Sequence, residues 1–424
     1  MKHKLLIILI LALHLNIFAQ DFVIDADRNY RNDVMTVQLY PTGFELDKPI
    51  IALNDLENAL HLEFDILGSE APYLHYTFVH CDNSWQPSDL QKHQYIEGFQ
   101  QGEIMNFEFS LNTFIDYVHF DLVFPTEDMK PMLSGNYLLV VTGDDENDVY
   151  FTRRFFVVEE QCTIQTTMPR YPYDMSLGKN KQEIDIEISC QSLFNNRPDE
   201  YSNVTIQQNG RWDNVVTGLK PTYIYPDKLV YIENSKLVFE PGNQFIRINT
   251  SEFNNRPERT RTVYREEEYY VVTLYQDKKR NTVTWTEEAD IHGAMSIYLE
   301  RQNLDPHKEA DYARVDFSLE WPYMNDRDIY ILGAITNWRL DENSKMEYDF
   351  NSNCYRKDLM LKQGYYDYMY VIKDRNTGIS TLEPINGSFW ETNNNYTIYV
   401  YMRDPMMNYD MLIGCKTVKS HDNK

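Results

Sequence analysis

The segment Ala313-Arg314-Val315-Asp316-Phe317-Ser318-Leu319-Glu320-Trp321 decides the fold class. Ala313, Val315, Phe317, Leu319 and Trp321 alternate with Arg314, Asp316, Ser318 and Glu320. A period of two marks a strand with one buried face and one wet face. The same rhythm recurs on both sides of this segment. Leu62, Phe64 and Ile66 alternate with Glu63 and Asp65, and Met105, Phe107, Phe109 and Leu111 alternate with Asn106, Glu108 and Ser110. Ile184, Ile186 and Ile188 alternate with Asp185, Glu187 and Ser189, and Tyr396, Ile398, Val400 and Met402 close the series. Many such strands with short polar breaks predict β-sandwiches. The longest helix the pattern allows, Ser88 to about Phe99, makes only about three turns. The expected fold is all-β.

The N-terminus reads as a cleaved signal peptide over residues 1–19. Lys2 and Lys4 supply charge, Leu5 to Leu13 an apolar run, and Ala19 a small residue before the cut. His14 and Asn16 leave the run shorter than the roughly 20 residues a membrane span needs. The remainder divides into expected segments 20–160, 161–308 and 309–415, each of sandwich size, with a polar tail at 416–424. The pentapeptide Phe194-Asn195-Asn196-Arg197-Pro198 recurs as Phe253-Asn254-Asn255-Arg256-Pro257 and reads as reused turn chemistry.

The chain carries 40 Lys and Arg against 65 Asp and Glu, a formal charge of −25 that becomes −27 once Lys2 and Lys4 are removed. Phosphate backbones and anionic headgroups repel such a surface, so neither nucleic-acid binding nor direct membrane insertion is expected. The five cysteines are scattered without a CxxC, which argues against a disulfide framework.

No catalytic residues, cofactor or small-molecule substrate are expected. The chain lacks GxSxG, HExxH, GxxxxGK[ST] and GxGxxG signatures. The acidic clusters Glu266-Glu267-Glu268 and Glu287-Glu288 read as solvated loops or edges. His75, His80, Cys81 and Asp82 are the most metal-like grouping. Only His80 and Asp82 would share a strand face, short of the three or four ligands a metal needs, so no metal site is expected. His80 reads as a hydrogen-bonded structural residue.

The ordered motifs His80-Cys81-Asp82-Asn83-Ser84-Trp85-Gln86-Pro87-Ser88, Tyr95-Ile96-Glu97-Gly98-Phe99, Phe124-Pro125-Thr126-Glu127-Asp128-Met129-Lys130-Pro131 and Ser134-Gly135-Asn136-Tyr137 resemble the N-terminal domain of the type IX secretion system plug proteins. The strand Arg153-Arg154-Phe155-Phe156-Val157-Val158 follows in the expected place. Weaker likeness reaches Arg403, Tyr409-Asp410 and Leu412-Ile413-Gly414. The resemblance implies an exported, periplasmic, non-enzymatic protein on the inner side of the outer membrane. Its implied partner is the giant translocon β-barrel of type IX secretion, whose pore it closes when no cargo passes. Trp85 and Phe99 are candidate partner-contact residues, since aromatics dominate interface hot spots.

A second, local likeness lies in Leu332-Gly333-Ala334-Ile335-Thr336-Asn337-Trp338 followed by Gly364-Tyr365-Tyr366-Asp367-Tyr368. It is similar to early-set, immunoglobulin-like modules that bind glycogen, and implies tandem immunoglobulin-like or early-set sandwiches. In those modules the tryptophan matching Trp338 stacks on sugar. Here the region that usually supplies a second stacking Trp reads Gly378-Ile379-Ser380. Trp338 is therefore a candidate partner-contact residue, and a sugar platform under the alternative reading of a carbohydrate-binding envelope protein.

Overall fold

The computed structural model describes residues 25–190, 202–253, 257–281, 284–301 and 303–421. The signal segment lies outside these residues, as do Phe194–Pro198 and most of its echo. The regular structure of the described chain is nearly all β and forms tandem β-sandwiches. Between Ser88 and Phe99 only Lys92–Tyr95 is helical, and Ile96–Gly98 is already a strand.

In the first sandwich one sheet runs Val34–Pro41, Leu60–Leu67, Tyr117–Phe124, Asn106–Phe109. The other runs Ile50–Ala52, Val149–Val158, Gly135–Thr142, Leu74–Cys81, Gly102–Ile104. Leu62, Phe64 and Ile66 meet Phe78, Leu139 and Phe155 in the core between them. Ring contacts such as Phe64 on Phe120, with centroids 5.1 Å apart, fill that core.

The second sandwich is discontinuous in sequence. Thr163–Thr167, Asp185–Ser189, Lys228–Tyr231 and Tyr223–Ile224 form one sheet, and Ser202–Gln208 pairs with the terminal hairpin Asn395–Arg403 and Asp410–Lys419 to form the other. Ile184, Ile186 and Ile188 face Ile206, Ile398 and Val400 across its core. The third sandwich takes the intervening chain. Ile246–Asn249, Met295–Ile297 and Arg327–Leu332 pair with Gly364–Asp374 in one sheet. Thr260–Arg265, Tyr270–Leu274, Tyr312–Leu319, Cys354–Lys362 and Glu347–Asp349 form the other. Hydrogen bonding therefore crosses the linear boundaries at 308 and 415. Strands from 246 to 297 belong with the third segment, and residues 395–419 return to the second. Lys416 to Lys419, expected in a polar tail, are the far arm of that hairpin and pair with Asn395 to Ile398. Alternation identifies strands but is silent on which sheet accepts them.

The decisive segment behaves as its pattern requires: Val315, Phe317 and Leu319 are buried, while Arg314, Asp316 and Ser318 are half-exposed. Two other strands depart from theirs. Glu63 and Asp65 are buried rather than wet, because that face of Leu60–Leu67 is covered by the third sandwich. Conversely, all of Asn106–Phe109 is exposed, because it is the outermost strand of its sheet.

Candidate functional site

The loop from Asp82 to Ser88 joins the first sandwich to the second. Asp82 Oδ1 accepts from the backbone N–H of Ser84 and Gln86 at 2.8 and 2.9 Å, a turn that holds Trp85 at φ 65°. The Trp85 ring meets Phe156 edge-on at 5.2 Å and Trp212 at 5.4 Å. The Arg154 guanidinium lies over both indoles, 4.7 and 4.2 Å from their centroids. Phe156 in turn stacks on Tyr399 at 4.5 Å. Trp85 belongs to the first sandwich and Trp212 and Tyr399 to the second.

Other motif residues converge on the same joint. Asn83 donates its backbone N–H to Asp410 Oδ2 at 2.9 Å, and Tyr401 donates its hydroxyl to Asn136 Oδ1 at 2.8 Å. Arg403 holds Asp410 from the other side at 3.0 Å. His80 is buried, with Nδ1 3.0 Å from Ser88 Oγ and its ring against Tyr95, Tyr137 and Tyr409. Desolvation pushes its pKa down to about 4, although the Ser134 carbonyl works against the shift. His75 stands elsewhere, 3.7 Å from Asp144.

Trp338 lies beyond the strand Arg327–Leu332, which pairs with Gly364–Asp374 with Leu332 opposite Met369. Its indole is wedged against backbone. A Cβ on Gly210 of the second sandwich would approach the ring to 2.3 Å, and one on Gly293 of the third to the same distance. Only glycine fits at either place. Phe245 meets the ring edge-on at 6.0 Å. Beside it, Asn337 Oδ1 accepts from Arg153 of the first sandwich at 3.1 Å. A cleft of about 790 Å³ opens where the three sandwiches meet, lined by Arg153, Trp212, Trp338, Asp290 and Lys48 among others. A sugar platform needs an open ring face, and Trp338 gives much of its ring to neighbouring backbone.

Phe99 has a different setting. It is 67% exposed and opens a segment that runs along one free edge of the first sandwich. Gly102–Ile104 and Asn106–Phe109 are the terminal strands of the two facing sheets, and Met105 between them is 76% exposed. Phe107 and Phe109 lie 5.8 Å apart on this edge and are both exposed. The edge thus offers unpaired backbone groups beside apolar rings, a template for strand pairing. Its period-two pattern read as a core face, so the sequence alone did not expose it as a surface.

Residues 34–159 match the first domain of the type 9 secretion system plug proteins. A crystal structure of a hypothetical protein from Parabacteroides merdae is 32% identical, covers 92% of this chain and 98% of its own, and superposes with a TM-score of 0.88. This chain belongs to the type 9 secretion system plug family. An α2-macroglobulin from E. coli is 9% identical over 93% of this chain and 23% of its own, with a TM-score of 0.18. The BSP domain of a biofilm-associated protein is 8% identical over 92% and 59%, also at 0.18. Neither bears on the fold. No curated protein matches the chain. Among the described residues no helix is long and apolar enough to cross a membrane.

Proposed function

We propose that this chain is a non-catalytic periplasmic plug that docks on the type IX translocon β-barrel and occludes its pore while no cargo passes. The observation that carries this reading is the use made of the plug-family motifs. Asn83, Trp85, Asn136 and Asp410 brace one sandwich against the next rather than lining a reaction centre. A stopper has to be stiff and wide. A compact chain of this length has a radius of gyration of roughly 21–22 Å, and the widest barrels enclose aqueous holes that need closing. Docking falls to the edge that carries Phe99, Met105, Phe107 and Phe109, where strand addition joins hydrogen bonds to apolar contact.

The tagged protein should pull down a very large outer-membrane barrel. Replacing Phe99 and Met105, the most exposed apolar residues of this edge, together by Asp should reduce that recovery by about tenfold or more without changing the melting behaviour. Deletion should make the outer membrane leakier to large antibiotics. A pull-down without any such barrel would remove the reading, and undiminished recovery by the double variant would move docking off this edge.

A further inference from the structure

We propose that Glu63, His119 and His307 form a divalent-cation site, suited to Zn²⁺, that ties the first sandwich to the third. Glu63 stands on the strand Leu60–Leu67 and His119 on its neighbour Tyr117–Phe124, both in the first sandwich. His307 comes from the short helix Pro306–Glu309, which leads into the third. Their donor atoms lie within 4.8 Å of one another. Glu63 Oε1 is 3.7 Å from His119 Nε2 and 3.0 Å from His307 Nδ1. Tetrahedral zinc with bonds of about 2.0–2.1 Å needs ligand atoms roughly 3.3–3.4 Å apart, and the two distances straddle that value. Two imidazoles and a carboxylate are the nitrogen and oxygen donors that zinc accepts, with a fourth position left for water.

The surroundings are arranged as a metal site requires. Asp65 Oδ1 lies 2.7 Å from His119 Nδ1, which places the ring proton there and leaves Nε2 bare. Asp65 Oδ2 is fixed in turn by the Tyr312 hydroxyl at 2.6 Å and Lys362 Nζ at 2.7 Å. Tyr40 donates its hydroxyl to the second Glu63 oxygen. The Lys362 ammonium also donates to the His307 carbonyl at 2.8 Å, pinning the loop that brings in the third ligand. A cavity of about 60 Å³ adjoins Glu63, His119 and His307, and the His307 side chain is 44% exposed, which gives an ion a way in.

Charge points the same way. Glu63 and Asp65 stand beside a single buried ammonium, Lys362, which pairs with Asp65 at 2.7 Å. With neutral imidazoles the Glu63 carboxylate keeps its negative charge for a cation to meet.

The test is titration of the mature, chelator-stripped chain with Zn²⁺ alone, against a competing chromophoric chelator. The wild type should take up one ion and melt at a higher temperature. Absorption at the zinc edge should report two imidazoles with oxygen ligands. His307→Ala and His307→Gln, at an exposed position, should each weaken uptake by about 100-fold or more, while His93→Ala on the open surface changes nothing. A wild-type chain that takes up no Zn²⁺, or His307 variants that bind it as tightly, would overturn the assignment. So would an edge spectrum without imidazole, and that result needs no variant to fold.

Discussion

Strands Val149–Val158 and Leu60–Leu67 lie in opposite sheets of the first sandwich, and each is covered on both faces. What covers their outer faces differs in kind. Phe156 and Val158 meet Tyr399, Tyr401 and Leu412 of the second sandwich in an apolar cluster. Glu63 and Asp65 meet His307, Tyr312 and Lys362 of the third in a hydrogen-bonded, charged one. The aromatic joint gains from every square ångström taken from water and loses little to desolvation. The ionic joint strips Asp65 and Lys362, 1% and 2% exposed, of nearly all their water and recovers that only through good geometry. One joint is built for strength, while the other is built to be right only when every partner is present.

Removing one member from each joint is the sharpest way to break this contrast. Phe156→Ala deletes a ring stacked on Tyr399 and should lower the stability of the whole chain by about 3–5 kcal/mol. Its effect should be the same at low and high salt. Lys362→Met leaves the Asp65 carboxylate buried with only His119 and Tyr312 as donors, and should cost about 3 kcal/mol. Urea midpoints of the two variants, measured without metal, check both figures. If Phe156→Ala costs less than about 1 kcal/mol, the aromatic joint is mere contact and the contrast fails.

The aromatic joint was the more legible of the two in sequence. Phe156 and Trp85 fall inside plug-family motifs, although nothing there said that they would face Trp212 and Tyr399 rather than a partner. Burial of Val315, Phe317 and Leu319 followed directly from their spacing, because a strand's own geometry fixes which residues share a face. The same rule made Glu63 and Asp65 one polar face. It could not say whether that face meets water or another set of charges, since His307 and Lys362 arrive from a distant part of the chain. Phe107 and Phe109 fail in the opposite direction. Their alternation marks an apolar face, but an edge position decides that no second layer covers it. The Trp338 motif marked a candidate contact residue, whereas the wedge between Gly210 and Gly293 is set by how two sandwiches pack.

A histidine sharpens the contrast further. His80 lies among the rings of the aromatic joint, where burial holds its pKa near 4, while His119 in the ionic joint is held above its ordinary value. For His80 the unfolded chain binds a proton at about pH 6.5 and the folded chain only near 4. Between those values the unfolded state carries more protons, so stability falls as pH drops through that window. The contribution is on the order of 3 kcal/mol and is lost in full below about pH 4. His80→Gln should flatten the dependence between pH 6.5 and 4 relative to wild type, in urea midpoints taken across that range. Parallel curves for the two proteins would mean that His80 accepts its proton without leaving the joint.

The smallest effect should come from the rim of the ionic joint. Glu108 and Lys308 pair at 3.0 Å across the first and third sandwiches, but their side chains are 53% and 30% exposed. Water already screens both, so Glu108→Gln should leave the urea midpoint almost unchanged. The difference should vanish in roughly 1 M salt, where the Debye length shrinks to about 3 Å. Lys362→Met should keep most of its effect under the same conditions, since Asp65 and Lys362 are only 1% and 2% exposed. A rim variant as damaging as Lys362→Met would place the strength of this joint at its solvent boundary. The buried Asp65–Lys362 pair would then serve only to set its geometry.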